Sequence, residues 1–233
     1  MQLFQSERTQ SRMTVRAAYC DVDGTLTSTT IVTPLAWFKR NTQSSLGYRL
    51  WWASLLLRGP AWLLMDRIDR SASNRAIYSQ YKGMSVSEVM ALNERCYHEC
   101  IKPRIFPRAA EWLREQREQG VKIVLVTGGL DFIMQRLAKD LDAECIAPGL
   151  LSDGDRFTGE LNQPALTAER KAEAVRAHAN RHHVDLANSF ALGDAMADSA
   201  MLKCAGNPIA VNADTRLVGL ARKYGWKVER FRS

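Results

Sequence analysis

"VRAAYCDVDGTLT", residues 15 to 27, decides the fold. Its first half is a short apolar run of strand character. Its second half puts Asp21 and Asp23 two residues apart, just where that strand ends. In extended chain, residues i and i+2 face the same side, so both carboxylates can open onto one cleft. Gly24 then lets the chain turn.

Downstream of residue 105 the pattern alternates. "PRAAEWLREQREQG" predicts a helix opened by Pro107 and stopped by Gly120. "VKIVLVTGG" reads as a buried strand ending in glycines, and "LDFIMQRLAKDLD" as a helix. "AECIA" is a weak strand, and "LLSDGDRFTGEL" a hairpin with Asp153-Gly154 at its turn. "LTAERKAEAVRAHANRH" follows as a helix, "SFALGD" as a strand and "ADSAMLKCAG" as a short helix. "PIAVNA" and "TRLVGLARKYG" add a last strand and helix. Such alternation predicts an α/β fold: a doubly wound, mostly parallel sheet with helices on both faces. The stretch between the first two strands is helical in pattern. It reads as an inserted helical cap spanning residues 28 to 104, with the core formed by 15–27 and 105–233. Residues 1 to 14, "MQLFQSERTQSRMT", read as a polar tail without the apolar stretch of a signal peptide.

In such sheets ligands gather at the carboxyl ends of the strands. Three strand ends here carry polar chemistry: Asp21 and Asp23, then Thr127 with the Gly128 amide, then Asp194 and Asp198 in "LGDAMAD". Four acids around one cleft call for a cation. A few carboxylates with phosphate as co-ligand suit Mg²⁺. Lys171, at the start of "ERKAEAVR", is the candidate base for the phosphate. Each motif alone has a bland reading: a capped turn, a strand-loop junction, a helix N-cap, a solvated lysine. Their order on one doubly wound pattern shifts the balance towards chemistry.

This order resembles the haloacid-dehalogenase-like phosphatase superfamily, in particular the phosphoserine-phosphatase-like subgroup (subfamily IB, with a helical C1 cap). The resemblance covers about residues 15 to 213, lies in the four motifs and the hairpin, and is vague in the cap. It implies that Asp21 is the nucleophile, forming an aspartyl-phosphate, and that Asp23 is the general acid and then the base. It implies that Thr127, Gly128 and Lys171 hold phosphoryl oxygens. Mg²⁺ would take the Asp21 side chain, the Asp23 carbonyl and Asp194, with Asp198 in support. Asp21 works ionised while Asp23 starts protonated, so their surroundings must split the two pKa values. Two positions depart from the family. No acid occurs between Asp23 and Asp66, so Thr30 or Ile31 stands where phosphoserine phosphatases carry the glutamate that meets the substrate ammonium. Ala197 stands where the family often has asparagine. The first disfavours phosphoserine; the second leaves one phosphate contact missing or supplied from elsewhere. The Trp/Leu-rich cap adds the expectation of a lipid or other apolar phosphate monoester. A phosphotransferase using the same aspartyl-phosphate is the second expectation, and a non-catalytic docking module the third.

The chain has 233 residues, 46% hydrophobic and 24% charged, with net charge +7 and pI near 9.3. An anionic partner follows: a small phosphorylated substrate, or an anionic membrane surface. Between Ser28 and Gln80 seven basic residues stand against two acidic ones, with four of the six tryptophans. There the basic residues are interleaved with Leu and Trp, which speaks against nucleic acid as partner. "RLWWASLLLRGPAWLLMDRIDR", residues 49 to 70, is broken by Arg58 and Gly59-Pro60 and reads as two short helices, not a span. Its tryptophans face the cap's own core, a lipid surface, or the leaving group. Five cysteines, an odd number, point to a reduced cytoplasmic protein, with peripheral membrane association as the added reading. "CYHEC" reads as a helix with two half-buried thiols, zinc being the alternative. Nothing in the sequence sets an oligomeric state.

Overall fold

The computed structural model describes residues 15–68 and 70–232, without the side chains of 60–71. The 1–14 tail therefore lies outside the described residues.

The first strand, β1 (Ala17–Cys20), is fully buried along its length. β2 (Lys122–Val126) and β3 (Glu144–Ile146) lie to one side of it, and β6 (Phe190–Gly193), β7 (Asn207–Val211) and β8 (Lys227–Glu229) to the other. All five pairings in the order β3-β2-β1-β6-β7-β8 are parallel. The doubly wound expectation holds. β8 at the edge went unpredicted, because "KVE" is short, mostly exposed and charged. The strand order reverses between β1 and β6, and such a switch point opens a crevice at the carboxyl ends.

Helices α5 (Pro107–Glu118), α6 (Asp131–Asp140), α7 (Glu169–His182), α8 (Ser199–Leu202) and α9 (Thr215–Tyr224) connect the strands. Pro107 opens α5, where a missing N–H costs nothing, and Gly120 turns out of it at φ 75°. The hairpin of β4 (Leu150–Asp153) and β5 (Arg156–Leu161) forms as expected, although its two loop residues are Gly154 and Asp155.

Between β1 and α5 the chain is helical: α1 (Val32–Thr42), α2 (Ser45–Ile68), α3 (Arg70–Tyr78) and α4 (Val86–Cys96), with short 3-10 turns. Here the expected break at Gly59-Pro60 is corrected. α2 runs through both residues as one helix of 24 residues. Pro60 removes one N–H that would bond the Leu56 carbonyl, and Leu56 is exposed, where water can take that bond. The helix is long, yet no helix of the described residues is both long and apolar enough to cross a membrane.

Cys96 ends α4 and Cys100 lies in a π-helical turn, Tyr97–Ile101. Both thiols are buried rather than half-buried. His98 turns outward to Glu94, 3.0 Å away, so the zinc alternative finds no cluster there among the described residues.

Polar contacts fasten the helical insertion to α6 and to the hairpin. On α6, Asp140 accepts from the Tyr97 hydroxyl at 2.5 Å, and Arg136 stands over the Tyr97 ring and pairs with Glu94 at 2.6 Å. On the hairpin, Asp155 accepts from the Ser87 amide at 2.7 Å and the Ser85 hydroxyl at 2.7 Å.

Candidate active site

A cavity of about 840 Å³ opens at the switch point, between the carboxyl ends of the strands and the helical insertion. Asp21, Asp23, Gly24, Gly128, Lys171, Asp194 and Asp198 all line it. Thr127 does not: it is fully buried one residue behind the wall, and its hydroxyl accepts from the Gly129 amide at 2.9 Å.

Asp21 follows directly on β1, its amide donating to the Leu192 carbonyl at 3.0 Å. Its carboxylate is buried and takes two hydrogen bonds, 2.9 Å from the Thr25 hydroxyl and 2.5 Å from Lys171 Nζ. Gly24 makes the turn at φ 86°, and a Cβ there would strike the Asp194 carboxylate. The loop thus presses its backbone against an acid, an approach that only glycine permits. Asp23 accepts from the Thr29 hydroxyl at 2.6 Å, and Thr29 meets Thr27 at 2.5 Å.

Lys171 sits in the first turn of α7, where the helix dipole disfavours a cation. Two carboxylates outweigh that: Asp21 at 2.5 Å and Asp198 at 2.7 Å. Burial opposes its charge, but Asp198 and Asp21 together hold the ammonium above the usual lysine range. Ala168, just before α7, adopts φ 42° and ψ −115°, a sparsely populated conformation that costs a residue with a Cβ about 1–3 kcal/mol. Asp198 uses its second oxygen to accept from the amides of Asp194 (3.3 Å) and Ala195 (3.2 Å), which fixes the loop after β6. Burial pushes the Asp21 carboxyl up to about 6, although Lys171 pulls it down.

Carboxylate oxygens of Asp21, Asp194 and Asp198 all lie within 4.8 Å of one another. Three acids this close, with Asp23 beside them and one ammonium, leave excess negative charge facing the cavity. An all-oxygen donor set of this kind can hold a hard divalent cation. A second group, Glu144, His178 and His182, lies outside this cavity, with His178 held between Glu144 (3.0 Å) and the Tyr19 hydroxyl (3.0 Å).

The rest of the wall divides by chemistry. Ile31, Val32, Leu55, Ile77 and Leu166 make an apolar side; Ser73, Asn74 and Arg232 supply polar groups. The only acids among the described lining residues are the four aspartates. Tyr78 spans from the insertion to donate to the Gly128 carbonyl. Asn212, at the end of β7, donates to the Gly24 (2.9 Å) and Thr25 (3.3 Å) carbonyls. Sequence reading missed Thr25, Thr29, Asn74, Tyr78, Asn212 and Arg232. Asn212 alone left a signal, a polar residue at a strand's carboxyl end. Of the tryptophans in question, Trp51 is buried and Trp52 is partly exposed, while the side chain of Trp62 lies outside the described residues.

A family model for haloacid dehalogenase-like hydrolases matches residues 18–203. Phosphoserine phosphatase SerB1 of Mycobacterium tuberculosis is 32% identical over 165 residues, 70% of this chain and 54% of that protein. The inhibition of morphological differentiation protein of Streptomyces azureus is 30% identical over 149 residues, 63% of this chain and 53% of that one. The chain thus spans about half the length of these curated relatives. Among solved structures, a Bordetella pertussis protein of unknown function superposes with TM-score 0.79 at 21% identity, covering 94% of this chain and 99% of that one. A phosphoserine phosphatase with a phospho-aspartyl intermediate analogue gives TM-score 0.69 at 20% identity, with 94% of each chain covered. The chain belongs to the haloacid dehalogenase-like hydrolases.

Proposed function

We propose that the chain is a Mg²⁺-dependent phosphomonoester hydrolase that works through an aspartyl-phosphate on Asp21. The observation that carries this reading is the triad Asp21–Lys171–Asp198, a buried ammonium held between two carboxylates in the wall of a cavity. Residues 15–27 and 105–233 form the catalytic core in this reading, and 28–104 the cap that selects the substrate.

Asp21, turned by Thr25 and Lys171, attacks phosphorus, and the P–O bond to the leaving group breaks as the Asp21–P bond forms. Asp23, oriented by Thr29, gives its proton to the leaving oxygen, then takes one from the water that cleaves the acyl phosphate. Lys171 and the Gly128 loop steady the phosphoryl oxygens, with Thr127 bracing that loop from behind. The Asp21 and Asp194 carboxylates and the Asp23 carbonyl would hold Mg²⁺, supported by Asp198. Bound there, the ion neutralises charge on the transferring group.

The leaving group is apolar in this reading, a lipid phosphate monoester being one such substrate. Ile31, Val32, Leu55, Ile77 and Leu166 face it. Phosphoserine is the second reading, favoured by the name of the Mycobacterium tuberculosis relative. Against it, a substrate ammonium finds no acid beyond the four aspartates among the described lining residues. Transfer of the phosphoryl group to an alcohol would use the same residues, and product analysis with an added alcohol separates it from hydrolysis.

The test is Asp21→Asn with an aryl phosphate and Mg²⁺. Hydrolysis should vanish while the circular dichroism spectrum stays unchanged. Full activity in that variant would remove Asp21 as nucleophile. A screen of phosphoserine against alkyl and lysophospholipid monoesters then separates the substrate readings.

A further inference from the structure

Helix α2 has two unlike faces. Inward, Trp51 and Leu55 are buried, Trp51 donating to Gln80 at 3.3 Å, and Leu55 and Gly59 line the cavity. Outward, Leu46 is 68% exposed, Leu50 62% and Leu57 85%. With Ala53 these residues fall within about 60° of one another around the axis, at 3.6 residues per turn. Leu56, also exposed, widens the stripe on one side, with Arg49 between it and the other leucines. A continuous apolar face of this kind, about 17 Å long at 1.5 Å per residue, has no partner among the described residues. Isolated exposed leucines need no explanation, but a contiguous helical stripe does.

Charge indicates what covers it. Arg49 lies beside the stripe and Arg58 is exposed near its end; Arg40 on α1 is exposed too but lies near Glu99. From Gly24 to Met65 the sequence holds no acid at all. A second copy meeting this face would add its own Arg49 and Arg58 to it, and the stretch from Ser45 to Met65 holds no carboxylate to answer them. An anionic lipid surface answers both features: it accepts the leucines into the acyl boundary and pairs the arginine heads with phosphates.

We propose that the outward face of α2 docks on an anionic bilayer surface, lying in the interface plane with its inner face still walling the cavity. Docking does not depend on the phosphatase reading, since it is measured without substrate.

Flotation of the full chain tests it, using vesicles of 1-palmitoyl-2-oleoyl phosphatidylcholine alone or with phosphatidylglycerol at roughly a third of the lipid, enough for a strongly anionic surface. The parent protein should float with the anionic vesicles, weakly or not at all with the neutral ones, and less at high salt. The double variant Leu50→Gln/Leu57→Gln should lose about tenfold or more of that binding, because both removed side chains are apolar anchors. Its circular dichroism and its hydrolysis of an aryl phosphate should match the parent, since neither residue lines the cavity. A parent that stays unbound, or a variant that floats as well as the parent, overturns the proposal. So does gel filtration showing a parent dimer that the variant converts to monomer, which would assign the stripe to a second copy.

Discussion

Replacing Lys171 by methionine keeps the length of the side chain and removes its charge. In the protein without metal, this leaves the Asp21 and Asp198 carboxylates buried with no counter-ion. Their oxygens lie within 4.8 Å of each other. At an effective dielectric of about 20, 332/(20 × 4.8) gives a repulsion of about 3.5 kcal/mol, which the parent's ammonium offsets and the variant leaves uncompensated. That agrees with the roughly 3–5 kcal/mol lost when one partner of a buried ion pair is removed. For a chain of this size about 2 °C of melting temperature corresponds to each kcal/mol, so the expected drop is about 7 °C. The pH dependence has a definite sign. Burial raises the Asp21 carboxyl to about 6, so the native state keeps a proton that the unfolded chain releases earlier. Stability from this group therefore falls as pH rises towards that value. Lys171 opposes the rise, and its removal moves the window upward. The gap between variant and parent should be small near pH 5 and grow as pH rises to 8 on this linkage argument. Saturating Mg²⁺ should narrow it. Hydrolysis should fall by about a hundredfold or more through lost charge stabilisation. Calorimetric melts at both pH values, with and without Mg²⁺, provide the assay. A metal-free variant melting within about 2 °C of the parent at the higher pH, less than a third of the expected shift, would refute the charged triad.

Gly24→Ala forces a Cβ into the Asp194 carboxylate from a backbone at φ 86°. The strain alone is about 1–2 kcal/mol; a higher half-saturating Mg²⁺ concentration and a lower melting temperature should both appear, and an unchanged metal titration would contradict the assigned crowding. Tyr97→Phe removes the 2.5 Å bond to Asp140, which is the first reason the Asp140 carboxyl titrates below its ordinary range. With Asp140 partly open to solvent, the expected loss is about 1–2 kcal/mol. It should be present at neutral pH and fade in acid as Asp140 takes up its proton; equal losses in neutral and acid melts would disprove the ionic character of the bond.

How much of this was legible in the sequence follows from where each signal is stored. β1 and the Asp21/Asp23 pair were readable because strand character, spacing and a turning glycine are local. The Lys171–Asp198 bridge was not, since it joins residues 27 apart that only the packing of α7 against the loop after β6 brings together. From the sequence Asp198 reads as support for a metal; in the fold its first oxygen holds Lys171 and its second caps the loop. Gly59-Pro60 was misread because breaker residues act as local averages, and a helix already anchored through Trp51 and Leu55 can carry one missing bond. β8 escaped because an exposed three-residue edge strand has neither the length nor the apolar content to announce itself.

Asn212 ties two distant pieces of chain together. Its amide nitrogen holds the loop after Asp23, and its oxygen accepts from the Phe231 and Arg232 amides at 2.9 and 3.0 Å. Arg232 itself lines the cavity. One asparagine thus couples the first catalytic loop to the Arg232 side of the cavity, so a change at Asn212 shifts both walls together.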